Sequence, residues 1–283
     1  MKAAIALALL FAAAAPSAAQ KARVPAGFTA IFDGKNLNGW HGDPAYFRVR
    51  DGVLEGGSDK PVPDTTFLIL DKPYADFELR FKFRWVTPVG NSGIQFRSGQ
   101  IVGNYVLAGL QANVTPITPA VERYAMLYEE FGNRLELALL GQRAEISRVV
   151  AGHAGRVVRT VLGTTNPREA ILQSIKPYPE WNEDVLIVHG DHMVHAVNGL
   201  IAFDAFDLDP LGPKRGLIGI QVYKGPAMAV QYKDMNVKPL TRFPDIAGRF
   251  VSQPGPAPDP ARTYKDFTKP GAPDTPLQER EAS

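Results

Sequence analysis

Two adjacent carboxylates close the segment Tyr124-Ala-Met-Leu-Tyr-Glu-Glu130, and of all the side chains in this sequence they are best suited to move a proton. If the segment is a strand, its period of two puts Tyr124, Met126, Tyr128 and Glu130 on one face. Ala125, Leu127 and Glu129 then lie on the other. A core built on the small apolar face leaves Tyr128 and Glu130 looking into a cleft. On the competing reading both glutamates are solvated residues before Gly132-Asn133. Gln95, Arg97 and Gln111 form a second polar set, each alternating with apolar neighbours. An arginine with two amides suits a ligand rich in hydroxyls, whereas the alternative is an outer, water-facing surface. Gln221, between Ile220 and Val222, is a further binding candidate.

Three histidines, His189, His192 and His195, have the spacing of a metal site. Strand geometry argues against it. With Gly190-Asp191 as a hairpin loop, His189 and His192 pair across the turn on one face while His195 points to the other. His195 is then a relay or ligand-binding imidazole, or a half-buried histidine held by a backbone carbonyl. Trp181 could stack on a sugar ring or close a sandwich core. No phosphate loop, nucleophile elbow or cofactor fingerprint is present, so neither cofactor nor metal is expected.

These residues need strands to position them. In Phe77-Glu-Leu-Arg-Phe-Lys-Phe-Arg-Trp85 every odd position is large and apolar and every even one charged, the period of a half-buried strand. Phe77, Leu79, Phe81, Phe83 and Trp85 should cover a core, with Glu78, Arg80, Lys82 and Arg84 in water. After Thr87-Pro-Val-Gly-Asn-Ser-Gly93 the alternation resumes as Ile94-Gln-Phe-Arg97. Hairpins are signalled at Asp51-Gly52, Gly190-Asp191 and Asn198-Gly199, and further strands over 217–223 and 228–237. One short helix is signalled from Asn166 to Ile175, with Asn166 as its cap and Pro167 in its first turn. Many strands and one helix predict an all-β jelly-roll sandwich of two antiparallel sheets.

The termini read differently. Lys2, an apolar run from Ala3 to Ala15 and Ser17-Ala-Ala19 predict a signal peptide over 1–19 and an exported chain starting at Gln20. The run is short of a membrane span, so no stable anchor is expected. There is no cysteine, so stability must come from an ordinary core, placed over 25–240. With 31 basic against 29 acidic residues there is no basic stripe for nucleic acid. Residues 241–283 hold eight of the 24 prolines and read as a mobile tail.

In order along the chain, several segments resemble the 3-keto-disaccharide hydrolase family, long known as a domain of unknown function. They are Gly27-Phe-Thr-Ala-Ile-Phe-Asp-Gly-Lys-Asn-Leu-Asn-Gly-Trp40, Asn91-Ser-Gly-Ile-Gln-Phe-Arg97, Gly109-Leu-Gln-Ala-Asn113 and Leu127-Tyr-Glu-Glu130. Glu180-Trp-Asn182, His195-Ala-Val-Asn-Gly199 and Ile218-Gly-Ile-Gln221 follow. The resemblance spans about residues 26–240. It implies a concanavalin A-like jelly roll acting on a glycoside oxidised at carbon 3. Two departures stand out: the family's Gly-Tyr-Gln-Ala-Asp has Leu110 and Asn113 here in place of its tyrosine and aspartate.

A ketone at carbon 3 acidifies the carbon 2 proton and puts the glycosidic oxygen β to the carbonyl. A base at carbon 2 and a donor for the enolate oxygen then suffice to expel the leaving group, and water added back completes a hydrolysis. On this reading Glu130 is the base or acid, with Glu129 as its alternate. Arg97, His195 and Tyr128 stabilise charge, and Gln95, Gln111, Asn113 and Gln221 bind hydroxyls. The rivals are a non-catalytic carbohydrate-binding module on the same fold, which Asn113 favours, and an interaction protein working through its tail.

Overall fold

A computed structural model describes residues 23–116, 121–132, 134–149, 156–256, 262–264 and 275–276. The expected signal peptide and much of the expected tail lie outside the described residues. Those described form two facing sheets, one of twelve strands and one of seven. Phe77–Trp85 lies inside the larger sheet, between Asn182–His189 and Met228–Pro239. Its register sends Phe77, Leu79, Phe81 and Phe83 inward. There they pack with Leu68, Ile94, Phe96, Leu110, Ile218 and Ile220 of the smaller sheet in one continuous apolar core. The result is a concanavalin A-like jelly-roll sandwich.

The three hairpins form as their turn residues dictate. Asp51-Gly52 and Asn198-Gly199 each place two consecutive residues at positive φ (50° and 79°, 48° and 82°), the backbone of a two-residue I′ turn. His189 pairs with His192 around Gly190-Asp191. Among the described strands pairing is antiparallel except between Gln142–Val149 and Leu200–Asp207, which run parallel; an isolated bridge from Leu200 to Val251 is parallel too.

Three expectations change. Glu78, read as facing water, is 3% exposed. It is covered by Arg80 and by Arg249, which arrives from the chain beyond Leu240. That stretch is packed over residues 241–256: Phe243, Ile246 and Phe250 lie against Ile187, Val194 and Ile201 on the outer face of the larger sheet. Its prolines dominate the composition, but three spaced apolar side chains are enough to cover an apolar strip. The helix forms over Arg168–Gln173, and Asn166 does not cap it. The Asn166 amide instead donates to the Ile201 and Val251 carbonyls, and its oxygen accepts from Gln253 N–H, pinning the chain after Phe250. Among the described residues no helix is long and apolar enough to cross a membrane.

Candidate functional site

The smaller sheet sends one face into the core and turns the other outward. Leu107–Val114 pairs with Ser92–Gln100 on one side and with Leu127–Glu130 on the other. Leu127–Glu130 continues through a hairpin into Leu135–Ala138. Register therefore aligns Gln95, Gln111, Tyr128 and Glu136 in one row across four strands. Glu130 stands two residues beyond Tyr128 on the same face. A cavity of about 360 Å³ opens here, lined by Gln111, Asn113, Tyr128 and Glu130 together with Asn91, Arg123, Glu136 and Tyr223. A second cavity, of about 380 Å³, is walled by the other side of Glu130 and Tyr223 and by Lys224 and Phe131.

Glu130 is 9% exposed. Burial raises its pKa above the ordinary glutamate value, and the nearby Gln221 amide and Lys224 ammonium offset part of that rise. Such a carboxyl holds a proton more readily than a solvated one, which suits a group that takes up and gives back a proton. Burial, reinforced by Glu130 and Glu136, pushes the Tyr128 phenol up to about 12, so it stays protonated and can donate. Glu136, 2% exposed, is ion-paired with Arg123 at 2.8 Å. By sheet geometry its backbone lies diagonally across from Glu130, roughly 7–8 Å away. Gln111 donates from Nε2 to Asn113 Oδ1 at 2.8 Å and to Gln221 Oε1 at 3.3 Å, and Asn113 donates to the Arg123 carbonyl. Two acceptors of this wall, Gln111 Oε1 and Asn91 Oδ1, are buried with no hydrogen-bond partner among the described residues.

Five of the residues singled out in the sequence thus meet: Tyr128, Glu130, Gln111, Asn113 and, through its amide, Gln221. Five lie elsewhere. Arg97 sits at an irregularity in the pairing of Ser92–Gln100, at φ 47°, and this breaks the period of two on which its placement rested. It points away from the cavity and donates to the Ala75 and Gly190 carbonyls and to Asp76, at 2.8, 2.8 and 2.9 Å. Glu129 faces into the sandwich, where it accepts from Arg134 Nε and N–H. Arg134 also reaches Asp207 and Asp209 of the opposite sheet's end. Gln95 shares the face of Gln111 but is roofed by the chain at Leu107; its amide donates to the Leu107 and Gly109 carbonyls.

His195 is fully buried in the core rather than half-buried. It bonds Asp184 through Nε2 at 2.8 Å and the Ala125 carbonyl through Nδ1 at 3.2 Å. Burial alone would lower its pKa; the Asp184 carboxylate reverses this, and the net direction is up. His192 is on the opposite face, stacked between Phe206 and Phe243 and bonded to Asp204. Trp181 lies on the outer side of the larger sheet, between the Arg84 and Lys233 cations. Tyr124 follows the core as well, because Ala125 at φ 48° interrupts the alternation before the strand begins.

Arg123, Glu136 and Tyr223 were not found from the sequence. Glu136 alternates with Leu135 and Leu137, and a hairpin read through Gly132 would have set it opposite Tyr128. Arg123 lies in a short 3₁₀ turn and Tyr223 just past a strand end, where periodicity carries no signal.

Fold and cavity together define a jelly-roll sandwich with a polar groove, carrying carboxylates and amides, on the outer face of its smaller sheet. A family model described as a 3-keto-alpha-glucoside-1,2-lyase-like domain matches residues 27–238, and the chain belongs to that family. It is 27% identical over 186 residues to the 3-keto-disaccharide hydrolase of Bacteroides thetaiotaomicron, which covers 61% of this chain. The chain spans only 56% of that relative's length. Among solved structures, a Parabacteroides distasonis protein described as a candidate glycosyl hydrolase aligns with a TM-score of 0.49 at 15% identity, over 76% of this chain and 94% of its own. A carbohydrate-binding module from Bacillus subtilis aligns with a TM-score of 0.43 at 15% identity, over 71% and 95%.

Proposed function

We propose that the protein cleaves 3-keto-glycosides, with Glu130 as the group that moves the proton. The observation that carries this is the placement of Glu130: a buried carboxyl of raised pKa among a phenol, three amides and an arginine, in a family named for this chemistry. Glu130 removes the proton on carbon 2, and the electron pair forms the enolate of the carbon 3 ketone. Tyr128, held protonated, and Arg123 donate to that enolate oxygen, the role first assigned to Arg97. Collapse of the enolate breaks the bond from carbon 1 to the glycosidic oxygen, which leaves as an alcohol by taking up the proton that Glu130 had removed. Water added across carbons 1 and 2 gives the free 3-keto sugar. Gln111 Oε1 and Asn91 Oδ1 accept from sugar hydroxyls, Asn113 completes the binding wall, and the buried Gln221 holds Gln111 from behind. Asn113 replaces the carboxylate of the family segment, so proton transfer falls to Glu130. Glu136 offers a second carboxylate should the bond be hydrolysed directly. The basic and apolar amino-terminal pattern ending at Ser17-Ala-Ala19 supports export.

The test is release of sugar from a 3-keto-disaccharide but not from its unoxidised parent. Glu130→Gln should keep sugar affinity and lose activity by about 10²–10⁴-fold, the usual contribution of a positioned base. In deuterated water, elimination places deuterium at carbon 2 of the product, whereas direct hydrolysis does not. Sugar binding without cleavage, unchanged in Glu130→Gln, would make the protein a carbohydrate-binding module instead.

A further inference from the structure

A third cavity, of about 450 Å³, lies between the end of Phe77–Trp85 in the larger sheet and the chain just past Leu107–Val114 in the smaller one. It shares Thr115 with the groove described above and no other lining residue. Buried Phe83 and Tyr124 and half-buried Trp85 form its inner part, and exposed Pro177 and Tyr178 flank its mouth. Aromatic rings and a proline make flat apolar walls, a shape that receives another ring.

Few polar groups are available to a ligand here. The Thr87 hydroxyl donates to the Val89 carbonyl and accepts from Ala229 N–H. The Asn182 amide is occupied likewise by the Lys176 backbone and the Asn198 side chain. Two buried donors remain: the Trp85 indole N–H and the Tyr124 hydroxyl have no hydrogen-bond partner among the described residues. Tyr124 is 2% exposed, and burial, reinforced by Asp184, raises its pKa, so the phenol keeps its proton to donate. A buried donor left unpaired costs about 1–3 kcal/mol until something accepts from it. A sugar, with a hydroxyl on nearly every carbon, would find too few partners in this space, whereas a ring carrying a single accepting oxygen finds enough. Lys176 is the one charged side chain among the lining residues, so nothing there attracts a cation. We infer that this cavity binds a small neutral aryl carbonyl compound, its ring against the aromatic walls and its oxygen accepting from Trp85 Nε1 and the Tyr124 hydroxyl. The site is separate from the activity proposed above and does not depend on it.

The experiment titrates the full chain with acetophenone and with ethylbenzene, an analogue of like shape that has no acceptor, and follows both by ligand-observed NMR. An apolar void alone would favour ethylbenzene, the less water-soluble of the two. Two waiting donors reverse that order, and acetophenone should bind about tenfold more tightly. Tyr124→Phe should melt no lower than wild type, because it removes an unpartnered hydroxyl, yet lose about tenfold in acetophenone affinity with ethylbenzene unaffected. Trp85→Phe should weaken acetophenone more than ethylbenzene. Binding of neither probe, or ethylbenzene bound as tightly as acetophenone, would overturn the site. Wild-type affinity for acetophenone in both variants would overturn it as well. So would a Tyr124→Phe protein that melts below wild type, since the hydroxyl would then already have a partner.

Discussion

Arg97 offers the sharpest separation of scaffold from chemistry, because sequence reasoning put it in the cleft and the fold puts it underneath. Its side chain is 1% exposed and donates three hydrogen bonds: to the Ala75 and Gly190 carbonyls and to Asp76. Asp76 in turn accepts from Gly190 N–H at 2.8 Å, so one guanidinium holds the 189–192 hairpin tip to the loop before Phe77. Arg97→Ala removes the arginine's bonds to the two carbonyls and leaves Asp76 with only the Gly190 N–H. At about 1 kcal/mol net for each bond, the loss is about 3 kcal/mol, and the partly exposed Asp76 adds little because water can reach it. For a domain of this size that corresponds to a fall in Tm of roughly 6–12 °C. Arg97→Lys should recover less than half, since one ammonium cannot span three acceptors set around a planar fork. The assay is thermal melting beside turnover per folded molecule. Wild-type melting with abolished turnover would refute the reasoning and return Arg97 to the catalytic groove.

Glu130→Gln should melt no lower than wild type at pH 7, and higher if the buried charge is the dominant strain. A carboxyl whose folded pKa is raised binds its proton more tightly when folded. Its stabilising contribution is complete below the unfolded value and disappears as pH rises through the folded one, so the variant's advantage should vanish near pH 4. A variant less stable than wild type at pH 7 and more stable at pH 4 would reverse the sign. Truncation after Leu240 should lower the urea midpoint, because it uncovers Ile187, Val194 and Ile201 and removes Arg249 from Glu78; at about 1 kcal/mol for each of the three apolar side chains lost, the unfolding free energy should fall by about 3 kcal/mol. An unchanged midpoint would mean that the packed segment contributes nothing to folding.

Strand faces were legible where the backbone is regular. Phe77–Trp85, the paired histidines at 189 and 192, and the outward row of Tyr128 and Glu130 all follow from a period of two with turn residues at its ends. The reading failed where one residue takes a positive φ inside the pattern, as at Arg97 and Ala125, since alternation then restarts on the other face. It also failed where the decisive partner comes from another strand. His195 looked available until Asp184, on the adjacent strand, occupied it. Gln95 shares the face of Gln111 and differs only in being roofed by the chain at Leu107, a closure that period-two reasoning cannot position. The packing of residues 241–256 was hidden by averaging, because proline content over the whole tail masks three well-spaced apolar side chains.

The two neighbouring glutamates have opposite surroundings, one clamped by Arg134 at the back of the sheet and the other lining the groove at the front. A slip of one residue in the pairing of Leu127–Glu130 would exchange them, setting Glu130 against the arginine and Glu129 among the amides. The ion cluster of Arg134 with Glu129, Asp207 and Asp209 therefore acts as a frame marker: it rewards only one alignment, and in that alignment Glu130 faces the ligand. Insertions or deletions within residues 127–138 should be excluded for this reason even where the turn itself could absorb them, and changes to Arg134 should blur the geometry of a groove it never touches.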